Sequence, residues 1–303
     1  MTASLPLAGR VGIVTGAGKG LGRAFALDLA AAGAAVVVNN RNRQLDADGL
    51  GPADHVVAEI LAAGGQAIAE HSDVSDPAAA AAILDCAQRN WGRVDFLVAN
   101  AAISEAVMFH KSTPAQFDAV TAVNIGGTAH LAMLCSEQMR RAEFGRIVLI
   151  ASTAGLHGEP TASAYTASKG ALIALGRAIA AEGARRNVLT NVVLPYATTQ
   201  MTDTGMPLDY REIMTPEAVA PVVTALVDPG CELNGQVIVS AAGALRAAAA
   251  VEYGTVALPK GPLSPAELAT LLDRSRTSRP RQYEQAIEAF LDLAGDISRS
   301  AQP

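Results

Sequence analysis

Short apolar runs alternate along this chain with longer stretches whose apolar residues recur at helical spacing. Val11–Thr15 is the first run; a glycine-rich turn follows, and residues 21–32 then carry a helical pattern. Ala35–Asn39 reads as the next strand and residues 53–63 as the next helix, closed by Gly64-Gly65. Gln66–Glu70 leads into another turn. Asp76-Pro77 then predicts a helix start, with Asp76 as N-cap and Pro77 at the first helical position. Residues 95–99, 146–151, 189–194 and 236–240 are further strands, separated by helix-length segments. Strand and helix in regular alternation predict an α/β fold, a doubly wound parallel sheet with helices on both faces.

Two segments break the rhythm. Residues 40–51 form a polar stretch longer than such connections usually are. Beyond Gly254 come Pro259, Pro262 and Pro265, then helix-like stretches at 265–274 and 282–294, which predict a helical C-terminal extension over 255–303.

Composition narrows the reading. The chain has 303 residues, half of them hydrophobic and 17% charged, so a packed globular core is expected. A net charge of −6 argues against nucleic acid as a partner. Cys86, Cys135 and Cys231 are far apart and outside any metal-ligand spacing, so reduced thiols and no metal site are expected. The first ten residues lack a basic segment followed by an apolar run, and no continuous apolar stretch reaches the about 20 residues a membrane helix needs. A cytoplasmic protein without a membrane partner is the expectation.

Candidate chemistry begins at the first turn, Thr15-Gly16-Ala17-Gly18-Lys19-Gly20-Leu21-Gly22. Glycines between a strand and a helix let the backbone approach a pyrophosphate, and the helix N-terminus supplies free N–H groups and a favourable dipole. This context predicts a dinucleotide site of Rossmann type. At the end of the second strand an acid would select NAD, and an Arg would accommodate the 2′-phosphate of NADP. Asn40 stands there, followed by Arg41 and Arg43, so NADP is favoured over NAD.

Tyr165 and Lys169 are four apart in an Ala-rich helical stretch, which places both on one helix face. An ammonium there is expected to lower the tyrosine pKa towards working pH. Ser152, at the end of the strand over 146–151, can hold a substrate oxygen. Asn124 lies in an apolar helical stretch, where it bonds its own backbone or holds a water.

The Thr15–Gly22 turn, Asp73 before Val74, Asn100-Ala101, Asn124, Ser152, Tyr165 and Lys169 together resemble the short-chain dehydrogenase/reductase family over about residues 7 to 243. The resemblance implies that Tyr165 is the acid–base, Ser152 positions the reacting oxygen, and Lys169 binds the ribose and tunes Tyr165. It implies that Asn124 holds a relay water, Asp73 and Val74 flank the adenine, Asn100 and Ala101 line the adenosine side, and Pro195 begins the segment over the nicotinamide. Gly16, Lys19, Gly20, Leu21, Gly22, Asn40 and Arg41 complete the cofactor set. Residues 1–254 then form the dinucleotide-binding and catalytic domain.

The loop after Asn40, the segment from Pro195 to Thr202 and the extended tail resemble the (3R)-hydroxyacyl-CoA dehydrogenase units of peroxisomal multifunctional enzyme type 2 and related bacterial proteins. Hydride transfer between a nicotinamide cofactor and a 3-oxoacyl thioester, such as a CoA ester, or a bulky ketone is implied. A homodimer or homotetramer built through Ala-rich helices is expected as well, with residues 198–210 as a lid. Departures occur at Ala99, Ala102, Asn40 and Tyr196. They leave a second reading, a cofactor-binding scaffold without turnover.

Overall fold

The computed structural model describes residues 5–41, 45–202 and 207–300; Arg43 and Gly205 lie outside them. Eight strands form one sheet: β1 (Val11–Thr15), β2 (Ala35–Asn39), β3 (Gln66–Glu70), β4 (Phe96–Ala99), β5 (Gly145–Ile150), β6 (Val188–Pro195), β7 (Val237–Ala241) and β8 (Ala244–Ala248). Their order is 3-2-1-4-5-6-7-8, and the pairs from β3 across to β7 are parallel. The connections reverse direction between β1 and β4, so a crevice opens beyond the carboxyl ends of these two strands. β8, absent from the sequence reading, follows β7 through Ala242-Gly243, both at positive φ (47° and 73°).

The helices are α1 (Gly20–Ala31), α2 (Pro52–Ala62), α3 (Ala79–Trp91), α4 (Pro114–Thr121), α5 (Thr128–Arg141), α6 (Ala154–His157), α7 (Ser163–Gly183), α8 (Leu208–Arg211), α9 (Ala220–Val227), α10 (Pro265–Arg276) and α11 (Ala286–Ser300). α3 corrects the predicted start. Asp76 Oδ1 accepts from the Ala78 N–H at 2.8 Å in a turn, and the helix begins three residues after Asp76.

Strands β1, β2, β4 and β5 are buried along their whole length, which explains their unbroken apolar runs. Alternate side chains serve opposite faces. Val14, Val36, Val38, Val98, Val148, Ile150 and Val193 share one cluster with Phe25 and Leu29 of α1, Val56 and Ile60 of α2, and Val223 and Leu226 of α9. On the other face α7 comes so close that a Cβ on Gly176 would collide with Val192. Within the sheet, a Cβ on Gly12 would fall inside the Phe96 ring, so β1 and β4 fit only with glycine there.

α4 and α5 are joined without a break by a π-helical turn, Ala122–Gly127. The whole run, Pro114–Arg141, is by length and composition apolar enough to cross a membrane, although no continuous apolar stretch of that length lies within it. Asn124, Thr128 and His130 interrupt the apolar string in one dimension, whereas the helix keeps going. Val123, Leu131, Ala132, Cys135 and Met139 on it are buried, as in a core helix.

The chain divides into two compact units, Met1–Ala247 and Ala248–Pro303. In the second, Ser264 caps α10: its Oγ accepts from Glu267 N while Glu267 Oε2 accepts from Ser264 N at 2.9 Å. Arg281 bonds Asp292 and Asp296 of α11.

Candidate active site

A cleft of about 590 Å³ opens beyond the carboxyl ends of β1, β4, β5 and β6. It is of a size that suits a cofactor with its substrate. Gly16, Lys19, Gly20, Leu21, Gly22, Asn40, Arg41, Asp73, Val74, Asn100, Ala101, Ser152, Tyr165, Lys169 and Pro195 all line it. Asn124 lies just behind its wall.

The glycine turn is welded to the end of β4. Thr15 Oγ1 accepts from the N–H groups of Asn100 and Ala101, each at 3.0 Å. The Asn100 carboxamide donates back to the carbonyls of Thr15 and Gly16. Gly16 and Gly20 sit at positive φ, 62° and 53°. A Cβ on Gly16 would come 2.8 Å from Ala101 Cα, and one on Gly22 would collide with the Gly16 carbonyl. These glycines are therefore required by close backbone contact. No side chain caps the N-terminus of α1, so its N–H groups remain for an anion. The cradle fits a dinucleotide pyrophosphate.

At the end of β2, Asn39 is buried and donates to Glu70 Oε2 at 2.6 Å and to the Ser72 carbonyl at 3.0 Å. Asn40 packs over Gly18, where a Cβ would strike its amide. The Arg41 guanidinium pairs with Asp73 at 3.0 Å. Burial raises the Asp73 carboxyl, but hydrogen bonds from Ser75 and the Arg41 charge outweigh it and bring the group down to about 2. Arg41 thus enters the cleft already held by the residue expected beside the adenine.

The chemistry end is built from side chains. Ser152 follows β5, and its Oγ accepts from the Ala154 N–H at 3.1 Å, which leaves the hydroxyl proton to be donated. Tyr165 and Lys169 stand one turn apart on α7. α6 presses on this turn at Gly155, whose Cβ would lie 2.6 Å from the α7 backbone at Lys169 and Gly170. Lys169 is 2% exposed, donates to the Ile150 carbonyl at 2.7 Å, and lies 5.5 Å from the centre of the Tyr165 ring. Burial pulls its ammonium down to about 7.

The expected lowering of Tyr165 by Lys169 is corrected here. Burial raises the phenol, and a hydrogen bond with Ser152 only partly offsets it. Lys169 Nζ donates to the Ile150 carbonyl, and burial lowers its own pKa.

Asn124, fully buried in the π turn, has its side chain engaged by protein groups. Oδ1 accepts from Ile103 N at 2.9 Å; Nδ2 donates to Ile103 O at 3.0 Å and Ser168 Oγ at 2.9 Å. Ser168 Oγ in turn donates to the Tyr165 carbonyl at 2.7 Å. Ile103 and Ser168 were not singled out in the sequence. Ser168 had one available signal, a polar side chain one turn from Tyr165 on an apolar helix. Thr153 and Thr199 were missed as well: both line the cleft, Thr199 over Gly20. The segment expected to be a lid lies partly in residues 203–206, outside the described residues; Thr199, Gln200, Met201 and Thr202 line the cleft.

A family model described as short chain dehydrogenase matches residues 10–211. Peroxisomal multifunctional enzyme type 2 of Drosophila melanogaster is 40% identical over 237 residues, which are 78% of this chain and 39% of that protein. The chain thus spans well under half the length of that relative. The hydroxyacyl-CoA dehydrogenase ChsB1 of Mycobacterium tuberculosis is 36% identical over 253 residues, 78% of this chain and 79% of that one. The crystal structure of a short chain dehydrogenase from Mycobacterium avium superposes with a TM-score of 0.79 at 36% identity, covering 90% of this chain and 97% of that one.

Proposed function

Since this chain belongs to the short-chain dehydrogenase/reductase family and is a nicotinamide-dependent oxidoreductase acting on CH–OH groups, we propose that it interconverts 3-oxoacyl and 3-hydroxyacyl thioesters. One observation carries the reading: Ser152, Tyr165 and Lys169 open into the same cleft as the glycine turn. A hydroxyacyl-CoA dehydrogenase among its relatives supports the thioester class.

The dinucleotide, when bound, supplies or accepts a hydride at its nicotinamide ring. Gly16, Gly20, Leu21 and Gly22 hold its pyrophosphate against the α1 N-terminus. Asp73 and Val74 flank the adenine, Asn100 and Ala101 the adenosine, and Pro195 the nicotinamide. Lys169 holds the ribose. In reduction, Ser152 donates a hydrogen bond to the carbonyl oxygen. Tyr165 gives that oxygen its proton as the carbon is reduced, so the raised phenol pKa keeps the donor loaded. In oxidation the same proton returns to Tyr165. Asn124 is a positioning residue: it ties the loop at Ile103 to Ser168 and so fixes the first turn of α7. A relay water would take its one uncommitted lone pair.

NADP is the preferred dinucleotide in this reading. No acid stands at Asn40 to repel a 2′-phosphate, and Arg41 with Lys19 supplies positive charge on the cleft wall. A dimer or tetramer built through α5 and α7 belongs to the same proposal, and the outer side of α5 exposes Met133. So does a cytoplasmic location, which cell fractionation tests.

The test follows oxidation of NADPH and NADH against 3-oxoacyl-CoA esters, with Tyr165→Phe beside the parent. We expect turnover that is faster with NADPH and falls about 10²- to 10⁴-fold in the variant. Equal rates in the two proteins overturn the role of Tyr165. No turnover with either cofactor, together with intact cofactor binding, favours the scaffold reading.

A further inference from the structure

We propose that Tyr196 is a further substrate-reading hydroxyl, donating to the thioester oxygen while Ser152 and Tyr165 hold the 3-oxo oxygen. The inference rests on the thioester reading above and adds a residue to it.

Three observations point to this role. First, Tyr196 follows Pro195 at the end of β6, and Thr153 follows Ser152 beyond the end of β5. The two strands are neighbours, with Ile150 opposite Val193, so both residues emerge at the same rim. Both line the cleft that holds Ser152 and Tyr165.

Second, Tyr196 is held through its backbone and through the tip of its side chain. Its backbone N–H donates to the Ser240 carbonyl at 2.9 Å, and its phenolic oxygen accepts from Thr153 Oγ1 at 2.7 Å. A side chain held in this way meets a ligand with little further loss of rotamer freedom.

Third, the hydrogen-bond inventory is directional. A phenol has one proton to give, and Tyr196 already receives the proton of Thr153. Its own O–H therefore remains for an acceptor, and the residue is 45% exposed, so a ligand reaches it. The bond from Thr153 also polarises that O–H and makes it a better donor.

The substrate class supplies the acceptor. A 3-oxoacyl thioester carries two carbonyl oxygens separated by a single methylene group. The proposal holds one at Ser152 and sets the other against the Thr153–Tyr196 pair, which lines the same cleft. A simple ketone offers nothing for Tyr196 to bind. The hydroxyl pair thus distinguishes 3-oxoacyl thioesters from ketones by a bond that only the former completes.

The experiment pairs two ligands with two proteins. Acetoacetyl-CoA is compared with S-(3-oxobutyl)-CoA, which carries a CH₂ in place of the thioester carbonyl and keeps the rest of the molecule. Parent and Tyr196→Phe are assayed with both, and a cofactor titration reports folding independently of turnover. We expect the ratio of kcat/KM for acetoacetyl-CoA over the thioether to fall about three- to tenfold in Tyr196→Phe, mainly through KM, as for one lost hydrogen bond. Thr153→Val should move the ratio the same way by less, and Thr153→Ser should restore it. An unchanged ratio overturns the proposal and leaves Tyr196 as a wall of the cleft. A parent enzyme that turns over no 3-oxoacyl thioester overturns the thioester reading itself, and this inference with it.

Discussion

The two halves of the cleft are built by opposite means. The half beyond β1 and β2 is made of missing side chains: Gly16, Gly18 and Gly22 each lie where a Cβ would strike a neighbour. The half beyond β5 and β6 is made of polar side chains, Lys169 and Asn124 buried and Ser152 half-buried, each already engaged by a protein partner. Lys169 bonds Ile150, Asn124 bonds Ile103 and Ser168, and Ser152 bonds Ala154. In the reading proposed above, the first half recognises a ligand through backbone N–H groups and empty space, so it tolerates no added atom. The second half depends on charge and proton position, so it should respond to pH.

The largest effect should come from filling the first half. Gly22→Val places atoms against the Gly16 carbonyl, and overpacking of this kind costs up to about 3 kcal/mol. We expect dinucleotide affinity, read by calorimetry, to drop roughly a hundredfold. Retained affinity would show that the turn yields, and the contrast between the halves would fail.

The next effect belongs to the second half. Burial sets Lys169 near 7 in the folded protein, below its ordinary value of 10.5. Between those values the unfolded chain holds a proton that the folded one has released. The buried ammonium therefore costs stability in full below about 7, and the cost fades as pH rises towards 10.5. A lysine Cε resonance titrating near 7, absent in Lys169→Arg, would show this directly. Lys169 is assigned to the ribose, and a charged donor holds an oxygen more tightly than a neutral one. The KM for the dinucleotide should therefore rise about two- to tenfold as pH passes the same midpoint. A KM that stays flat from pH 7 to 9 would remove Lys169 from the ribose contact.

The smallest effect should come where the halves differ least, at the exposed rim. Arg41→Ala should lower the preference for NADPH over NADH about fivefold, the worth of one partly exposed charge contact. No change in the kcat/KM ratio would mean that Asp73 keeps Arg41 from the phosphate.

This contrast also explains what could be read in the sequence. β1, β2, β4 and β5 were legible because a strand buried on both faces is apolar throughout. β8 was not: Ala-Leu-Arg-Ala-Ala lies mostly exposed at a sheet edge, and its hairpin depends on an alanine at positive φ, which no propensity signals. The glycine turn announced itself because glycine is the only residue that fits. Ser152, Tyr165 and Lys169 were singled out by spacing and a family resemblance together, and all three line the cleft. The partners that give them their properties were hidden, since Ile150, Ile103 and Ser168 act through tertiary contacts. The pairs Arg41–Asp73 and Thr153–Tyr196 join residues 32 and 43 positions apart, and no local pattern marks either.

The π turn at Ala122–Gly127 changes how the long run Pro114–Arg141 should be regarded. One residue inserted into an α-helix advances its phase by about 100°, so the segments before and after it cannot share a single stripe. The protein therefore has one rod with two independently aimed faces. Asn124 sits at the change of phase, where neither segment's amphipathic pattern dictates what the side chain must be. A polar residue can reside there, deep in an apolar rod, without disturbing the packing rhythm on either side.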